Sequence, residues 1–322
     1  MRIGIPRGQF YYDCFGFIQR LFDAENDIDD IELVFGPEND EEILRVGTAA
    51  AGEEVCQSVK LTLGQAVHLM SFCEYVFLPL VEKDFSGRRL CPELMYIRER
   101  FPHAWPPEKL MMTEPLNFRN KLGTQRKIWN ALKNTGMKRE LFMRNFENAY
   151  AFQKSIFQGG RNMHIEAAWE FVPQIGEGEI ILPNTGRVLL AGHCYNVYDS
   201  FVSGRIMKKL DELGLDVVTE RLLSRGEKAR AVDNLKFVKK PIYESVIRTL
   251  GTAVCLGASV DGVIYLSSFS CDTDLLIIDM IRKYTNEKPL MIITVDAAGR
   301  DSDTDARLEM FAEIIHERKN AS

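Results

Sequence analysis

Short apolar runs, rich in β-branched and aromatic residues, alternate along this chain with longer stretches of helical apolar spacing, and that alternation constrains its fold most. In the first half the runs are Arg2–Ile5, Glu32–Phe35, Tyr75–Leu80 and Lys109–Thr113. In the second half they are Arg187–Ala191, Asp216–Thr219, Gly262–Leu266 and Leu290–Val295. The pattern is that of parallel sheets with crossover helices, so the expected class is α/β.

Between the two sets lies a region without strand signals. Leu122, Ile128, Trp129, Leu132 and Met137 recur at near-helical spacing, and so do Phe146, Ala149, Tyr150, Phe152 and Ile156. A further helix is expected from about Asn162 to Pro173, and another from about Thr304 to Glu317. The organisation expected is an N-terminal α/β lobe over 1–117, a helical connector over 118–185 and a C-terminal α/β lobe over 186–322. With 322 residues, of which 46% are hydrophobic, two cores can be filled without staples.

The net charge of −6 argues against a general nucleic-acid binder, which needs a basic face. No apolar run reaches the ~20 residues that span a bilayer. The start, Met1-Arg-Ile-Gly-Ile-Pro-Arg-Gly8, is too short and too polar for a signal peptide, so the expected location is cytoplasmic and no membrane partner is expected. No phosphate-binding P-loop, no GxGxxG after a strand and no nucleophile elbow is present. ATP use, if any, is expected from a partner.

Seven cysteines, an odd number with no CxxC pair, do not make a disulfide framework, a zinc ribbon or a ferredoxin loop. A metal site would have to be assembled from distant segments. Cys91 precedes Pro92, which favours the first helical position, so Cys91 is expected at an N-cap, where a thiolate is stabilised. Cys271 lies beyond the Gly262–Leu266 strand in a polar loop opening into a helix, where parallel sheets place ligands. Cys56, at the start of a helix reaching about Phe72, reads on its own as a core cysteine. Cys14, Cys73 and Cys255 fall on apolar helical faces and are expected in the core. Cys194 follows a strand end and is kept as a reserve ligand. His193, Tyr195 and Lys60 are candidate neighbours of a metal centre, with a hydrogen-bonded structural role as the alternative for His193. Asp199 is expected to cap the following helix.

Six segments in order resemble the 2-hydroxyacyl-CoA dehydratase D-component family, in its activase-associated members. They are Met1-Arg-Ile-Gly-Ile-Pro-Arg-Gly-Gln-Phe-Tyr-Tyr12, Glu54-Val-Cys-Gln-Ser-Val-Lys60, Cys91-Pro92, Gly192-His-Cys-Tyr-Asn-Val-Tyr-Asp199, Ser270-Cys-Asp-Thr-Asp274 and Arg307-Leu-Glu309. The resemblance implies two Rossmann-like lobes with parallel sheets and an iron–sulfur cluster between them, with Cys56, Cys91 and Cys271 as its thiolates. It implies a 4Fe–4S cluster or a double cubane, the latter shared across a homodimer. It also implies an ATP-dependent activase as electron donor and a place in anaerobic metabolism. Three thiolates leave one iron open to a substrate, to which a single electron passes. The departures are specific. The family usually has proline where Cys194 stands and Cys-Leu-Pro where Cys56-Gln57-Ser58 stands. Its third motif is commonly Gly-Cys-Gly-Pro-Asp, and an Asp-Glu-His-Thr-Gly segment stands where this chain has Asp296-Ala-Ala-Gly-Arg300. The function expected is a low-potential reductase or dehydratase-like component. Beside it stand two alternatives, a non-enzymatic electron relay and a cluster-less scaffold of the same fold.

Overall fold

The computed structural model describes residues 1–23, 31–97, 106, 108–158, 186–237, 241–285, 288–295 and 302–320. The helix expected at Asn162–Pro173 and the segment Asp296–Arg300 lie outside the described residues. The chain divides into two compact units, one of residues 1–164 with Ile242–Glu244, the other of residues 165–241 with Ser245–Ser322. Among the described residues no helix is long and apolar enough to cross a membrane.

The strands of the first unit are β1 (Arg2–Ile5), β2 (Glu32–Phe35), β3 (Tyr75–Leu78), β4 (Val81–Lys83), β5 (Leu110–Met112) and β6 (Leu116–Asn117). Four of them form one parallel sheet in the order β2-β1-β3-β5, and β4 pairs with β6 separately. The helices are α1 (Gln9–Leu21), α2 (Glu41–Ala51), α3 (Gln57–Met70), α4 (Pro92–Met95), α5 (Lys121–Leu132) and α6 (Arg139–Gln158). Asp40 caps α2 by accepting from the Ile43 amide at 2.8 Å. On α6 Phe146 meets Phe17 of α1 edge-on at 6.0 Å.

The second unit holds β7 (Arg187–Gly192), α7 (Cys194–Val197), α8 (Ser200–Glu212), β8 (Asp216–Val218), α9 (Arg225–Asp233), α10 (Glu244–Leu256, starting one residue before the unit), β9 (Gly262–Ser268), α11 (Asp272–Tyr284), β10 (Leu290–Val295) and α12 (Ser302–Asn320). Its sheet is again all parallel, in the order β10-β9-β7-β8. β7 and β9 are buried along their whole length, which is why their sequences read as continuous apolar runs rather than as alternation. Asp199 caps α8 by accepting from the Phe201 and Val202 amides, and Ser224 with Glu227 closes a capping box on α9.

The two sheets are wound alike. In each, the chain leaves the first strand for a neighbour on one side and then crosses to the other side. The switch point falls between β1 and β3 in the first unit and between β7 and β9 in the second. In an open parallel sheet the carboxyl ends of the strands diverge at such a point and leave a crevice.

α2 and α3 cross at two glycines. A Cβ on Gly47 would lie 1.8 Å from the Lys60 carbonyl oxygen, and one on Gly64 would lie 2.0 Å from that of Ile43. Backbone cannot yield as a side-chain tip does. Gly47→Ala is therefore expected to push the helices apart and lower the stability of the first unit by about 1–3 kcal/mol, read from the denaturant midpoint.

Candidate functional site

Among the described residues of the second unit, a group of chemistry-bearing side chains stands at its switch point. His193 follows β7 directly, and Cys271 and Asp274 follow β9. One ligand atom from each of the three lies within 4.8 Å of the others, so the group could hold a metal ion. Local backbone chemistry sets each in place. His193 is the N-cap of α7 and Cys271 is the N-cap of α11. Ser270, just before Cys271, has a left-handed φ of 63°, a conformation that glycine adopts without strain. The family motif that this segment resembles carries glycine at that position.

Asp274 is the hub. Its carboxylate accepts from the Ser268 amide at 2.6 Å, from the Ser267 hydroxyl at 3.2 Å and from the Tyr265 hydroxyl, and it sits 2.8 Å from His193 Nε2. Only 1% of its side chain is exposed. The His193 ring stacks on Tyr195 with centroids 4.9 Å apart, and Asn196 donates to the Ser268 hydroxyl at 2.8 Å. Cys271 Sγ lies 3.6 Å from His193 Nε2 and 3.1 Å from the Thr273 hydroxyl.

Burial by itself favours neutral imidazole, but the Asp274 carboxylate, its hydrogen bond and the nearby Cys271 raise the His193 pKa to about 10. Burial pushes the Asp274 carboxyl up, and His193 with the Tyr265 and Ser268 hydrogen bonds outweighs it, leaving Asp274 below its usual range. Burial and Asp274 together drive the Tyr265 phenol well above its ordinary value. At neutral pH the group is thus an imidazolium–carboxylate pair beside a sulfur. It is not a nucleophile relay. A Cys–His–Asp relay needs the sulfur and the carboxylate on opposite ring nitrogens, and here both face Nε2. A metal at Nε2 would have to displace the proton held there.

In the first unit Cys56 is the N-cap of α3 and Cys91 that of α4, with Pro92 at the first helical position and no side-chain cap hydrogen bond at either. Cys56 is buried, packs in one apolar cluster with Leu80 and Ile97, and lies 3.4 Å from the Ser58 hydroxyl. Lys60 is also buried and donates to the Glu53 carbonyl at 2.7 Å, which ties down the turn before Cys56. Cys91 is partly exposed. The segment before it is pinned on both sides. The Leu90 amide donates to Glu82 at 3.0 Å, the Arg89 amide to Ile242 at 3.1 Å, and the Glu244 amide to Arg89 at 2.9 Å.

Cys194 is buried at the first position of α7. Cys14 and Cys73 are buried, and burial raises the Cys73 thiol. Cys255 departs from the expectation of a core role, because it is exposed. The buried stripe of its helix runs through Val246, Ile247, Leu250 and Ala253, and position 255 falls off that stripe. Asp274 closes the segment Ser270-Cys-Asp-Thr-Asp274 that the sequence singles out, yet nothing local in the sequence marks its tie to His193.

Residues 2–223 match the family described as the CoA enzyme activase uncharacterised domain. The match includes Cys56, Cys91, His193, Cys194 and Tyr195 and ends before β9, so it does not reach Cys271 or Asp274. No curated protein matches the chain.

Proposed function

The chain belongs to the CoA enzyme activase domain family, and from that premise we propose that it is an iron–sulfur protein of the 2-hydroxyacyl-CoA dehydratase D-component type, fed with electrons by an ATP-dependent activase in the cytoplasm. Cys56, Cys91 and Cys271 are its proposed thiolate ligands. The observation that carries the reading is that each of the three is the N-cap of a helix and none makes a side-chain cap hydrogen bond. At Cys56 and Cys271 the first free amides of α3 and α11 put partial positive charge beside the sulfur, which suits a thiolate bound to metal, whereas α4 after Cys91 is a single turn that opens on Pro92, which has no amide hydrogen. Thiolates are the donors that iron–sulfur clusters take, and that chemistry supports the reading. When bound, such a cluster supplies a low-potential electron at an iron that lacks a protein ligand.

The chain's own residues have separate tasks in this reading. Asp274, held by Tyr265, Ser267 and Ser268, fixes the His193 ring and keeps its proton. The imidazolium puts positive charge 3.6 Å from Cys271 Sγ, where it offsets anionic charge on the sulfur. Lys60 and the Arg89 pairing hold the turns that lead to Cys56 and Cys91.

A second reading rests on the mixed His193–Cys271–Asp274 group, whose nitrogen, sulfur and oxygen donors suit a single zinc ion. Anaerobic purification with iron, sulfide and zinc analysis and electron paramagnetic resonance separates the two. The expected result is a brown, oxygen-sensitive protein with about four irons and four sulfides per chain. Cys56→Ala, Cys91→Ala and Cys271→Ala should each abolish the resonance of the reduced protein. Colourless, iron-free protein after anaerobic reconstitution would sink the proposal, and one zinc per chain lost on Asp274→Ala would favour the second reading.

A further inference from the structure

Two of the three proposed thiolate ligands have a close partner that carries no task in the iron–sulfur reading. Cys56 and Cys271 are each followed two positions on by a hydroxyl residue, Ser58 and Thr273. The Ser58 hydroxyl lies 3.4 Å from Cys56 Sγ, and the Thr273 hydroxyl lies 3.1 Å from Cys271 Sγ.

The backbone builds the two contacts alike. Each cysteine is an extended N-cap residue, with φ −62° and ψ 148° at Cys56 and φ −99° and ψ 105° at Cys271. In each case the amide three residues on donates back to the cysteine carbonyl at 3.1 Å, Val59 to Cys56 and Asp274 to Cys271. The closed turn leaves the side chain of its third residue beside the sulfur of its first. Cys91 is built differently. Its carbonyl accepts from the Met95 amide, four residues on, and position 93 is a glutamate, which brings no hydroxyl.

A free thiol can donate or accept in such a pair. A thiolate bound to metal has no proton, so there the hydroxyl must be the donor. A hydrogen bond to an anionic acceptor is stronger than one to a neutral acceptor, and it strengthens as negative charge accumulates. A donor at a ligand sulfur therefore favours the reduced, more negative state of a cluster and raises its potential. Cys56 and Ser58 are both buried, and a surrounding of low dielectric increases the effect.

We propose that Ser58 and Thr273 are positioning residues that raise the reduction potential of the centre held by Cys56 and Cys271, an inference that rests on the iron–sulfur reading. Ser58 acts on a sulfur within an apolar cluster, and Thr273 on the sulfur that His193 also faces.

The test uses the full-length protein, reconstituted anaerobically with iron and sulfide and titrated with reductant under electron paramagnetic resonance. Ser58→Ala and Thr273→Val each remove one hydroxyl. Each is expected to keep its iron and to lower the equilibrium constant for one-electron reduction about tenfold, a shift of about 59 mV to more negative potential. The double variant is expected to give the product of the two, about a hundredfold. Ser58→Thr and Thr273→Ser retain the hydroxyl and are expected to stay close to the wild-type potential, which a role in packing alone would not require. If one of the single variants does not fold, the other still tests its own sulfur. Iron-loaded Ser58→Ala and Thr273→Val proteins with the wild-type potential, or with a more positive one, overturn the inference and leave the iron–sulfur reading standing. Wild-type protein that takes up no iron overturns both.

Discussion

Asp274→Ala is expected to destabilise the second unit by about 3–5 kcal/mol, because it leaves a buried imidazolium without its counter-charge and three donors without an acceptor. The donors are the Tyr265 hydroxyl, the Ser267 hydroxyl and the Ser268 amide, and all three residues are buried. Asp274→Asn keeps the volume and part of the hydrogen bonding but removes the charge, so it should lose less. Urea denaturation followed by a probe of the second unit measures both. The pH dependence has a definite sign. His193 is raised from its ordinary 6.5 to about 10 in the folded chain. The pairing is therefore fully stabilising below pH 6.5 and is lost as the pH climbs through about 10. Asp274 is lowered from its ordinary 3.8, so its contribution is present above that value and declines in acid. The wild-type midpoint should fall between pH 6.5 and 10, and His193→Gln should flatten that slope. A slope identical in the two proteins would show that the pair is not ionised as described.

The eight strands of the two main sheets were legible because each is a short apolar run bounded by Pro, Gly or Ser, or by a polar turn. The strand expected at Tyr75–Leu80 ends at Leu78 in the sheet, since Pro79 has no amide to donate. β4 and β6 were not legible. Val81-Glu-Lys83 and Leu116-Asn117 are too short for any period, and their ladder forms only because the main sheet brings them together. The N-cap position of Cys91 was readable from Pro92, and the place of Cys271 between a strand and a helix from the strand-to-helix order, with its N-cap role seen only in the structure. Asp274 was different. The Cys271 segment could be recognised, but the grip of Asp274 on His193 joins residues eighty-one positions apart through the pairing of β7 with β9. Tertiary coupling of that kind leaves no periodic trace.

Glu220→Ala is the second substitution expected to cost about 3–5 kcal/mol, again through uncompensated buried charge. The Glu220 carboxylate lies 2.8 Å from Lys228 Nζ and 3.5 Å from Arg248 Nε, and the two cationic side chains are only 2% and 4% exposed. Lys228 also donates to the Glu220 backbone carbonyl at 3.2 Å. Burial alone would raise the Glu220 pKa, but Lys228 and Arg248 overcome it and bring it from the ordinary 4.5 down to about 2. Burial is also the largest influence on Lys228, and it lowers the lysine despite the carboxylate. The sign follows from the depressed carboxyl. Its contribution is present above pH 4.5 and is lost as the pH falls through about 2, so acid unfolding of the second unit should be delayed relative to Glu220→Gln. Lys228→Met offers a sharper comparison. It removes one cation and leaves Glu220 with Arg248, whereas Glu220→Ala takes a counter-charge from both cations at once. Lys228→Met should therefore be the milder change in a denaturant titration at pH 7. If it proves as damaging as Glu220→Ala, packing of the lysine stem rather than charge pairing governs this cluster.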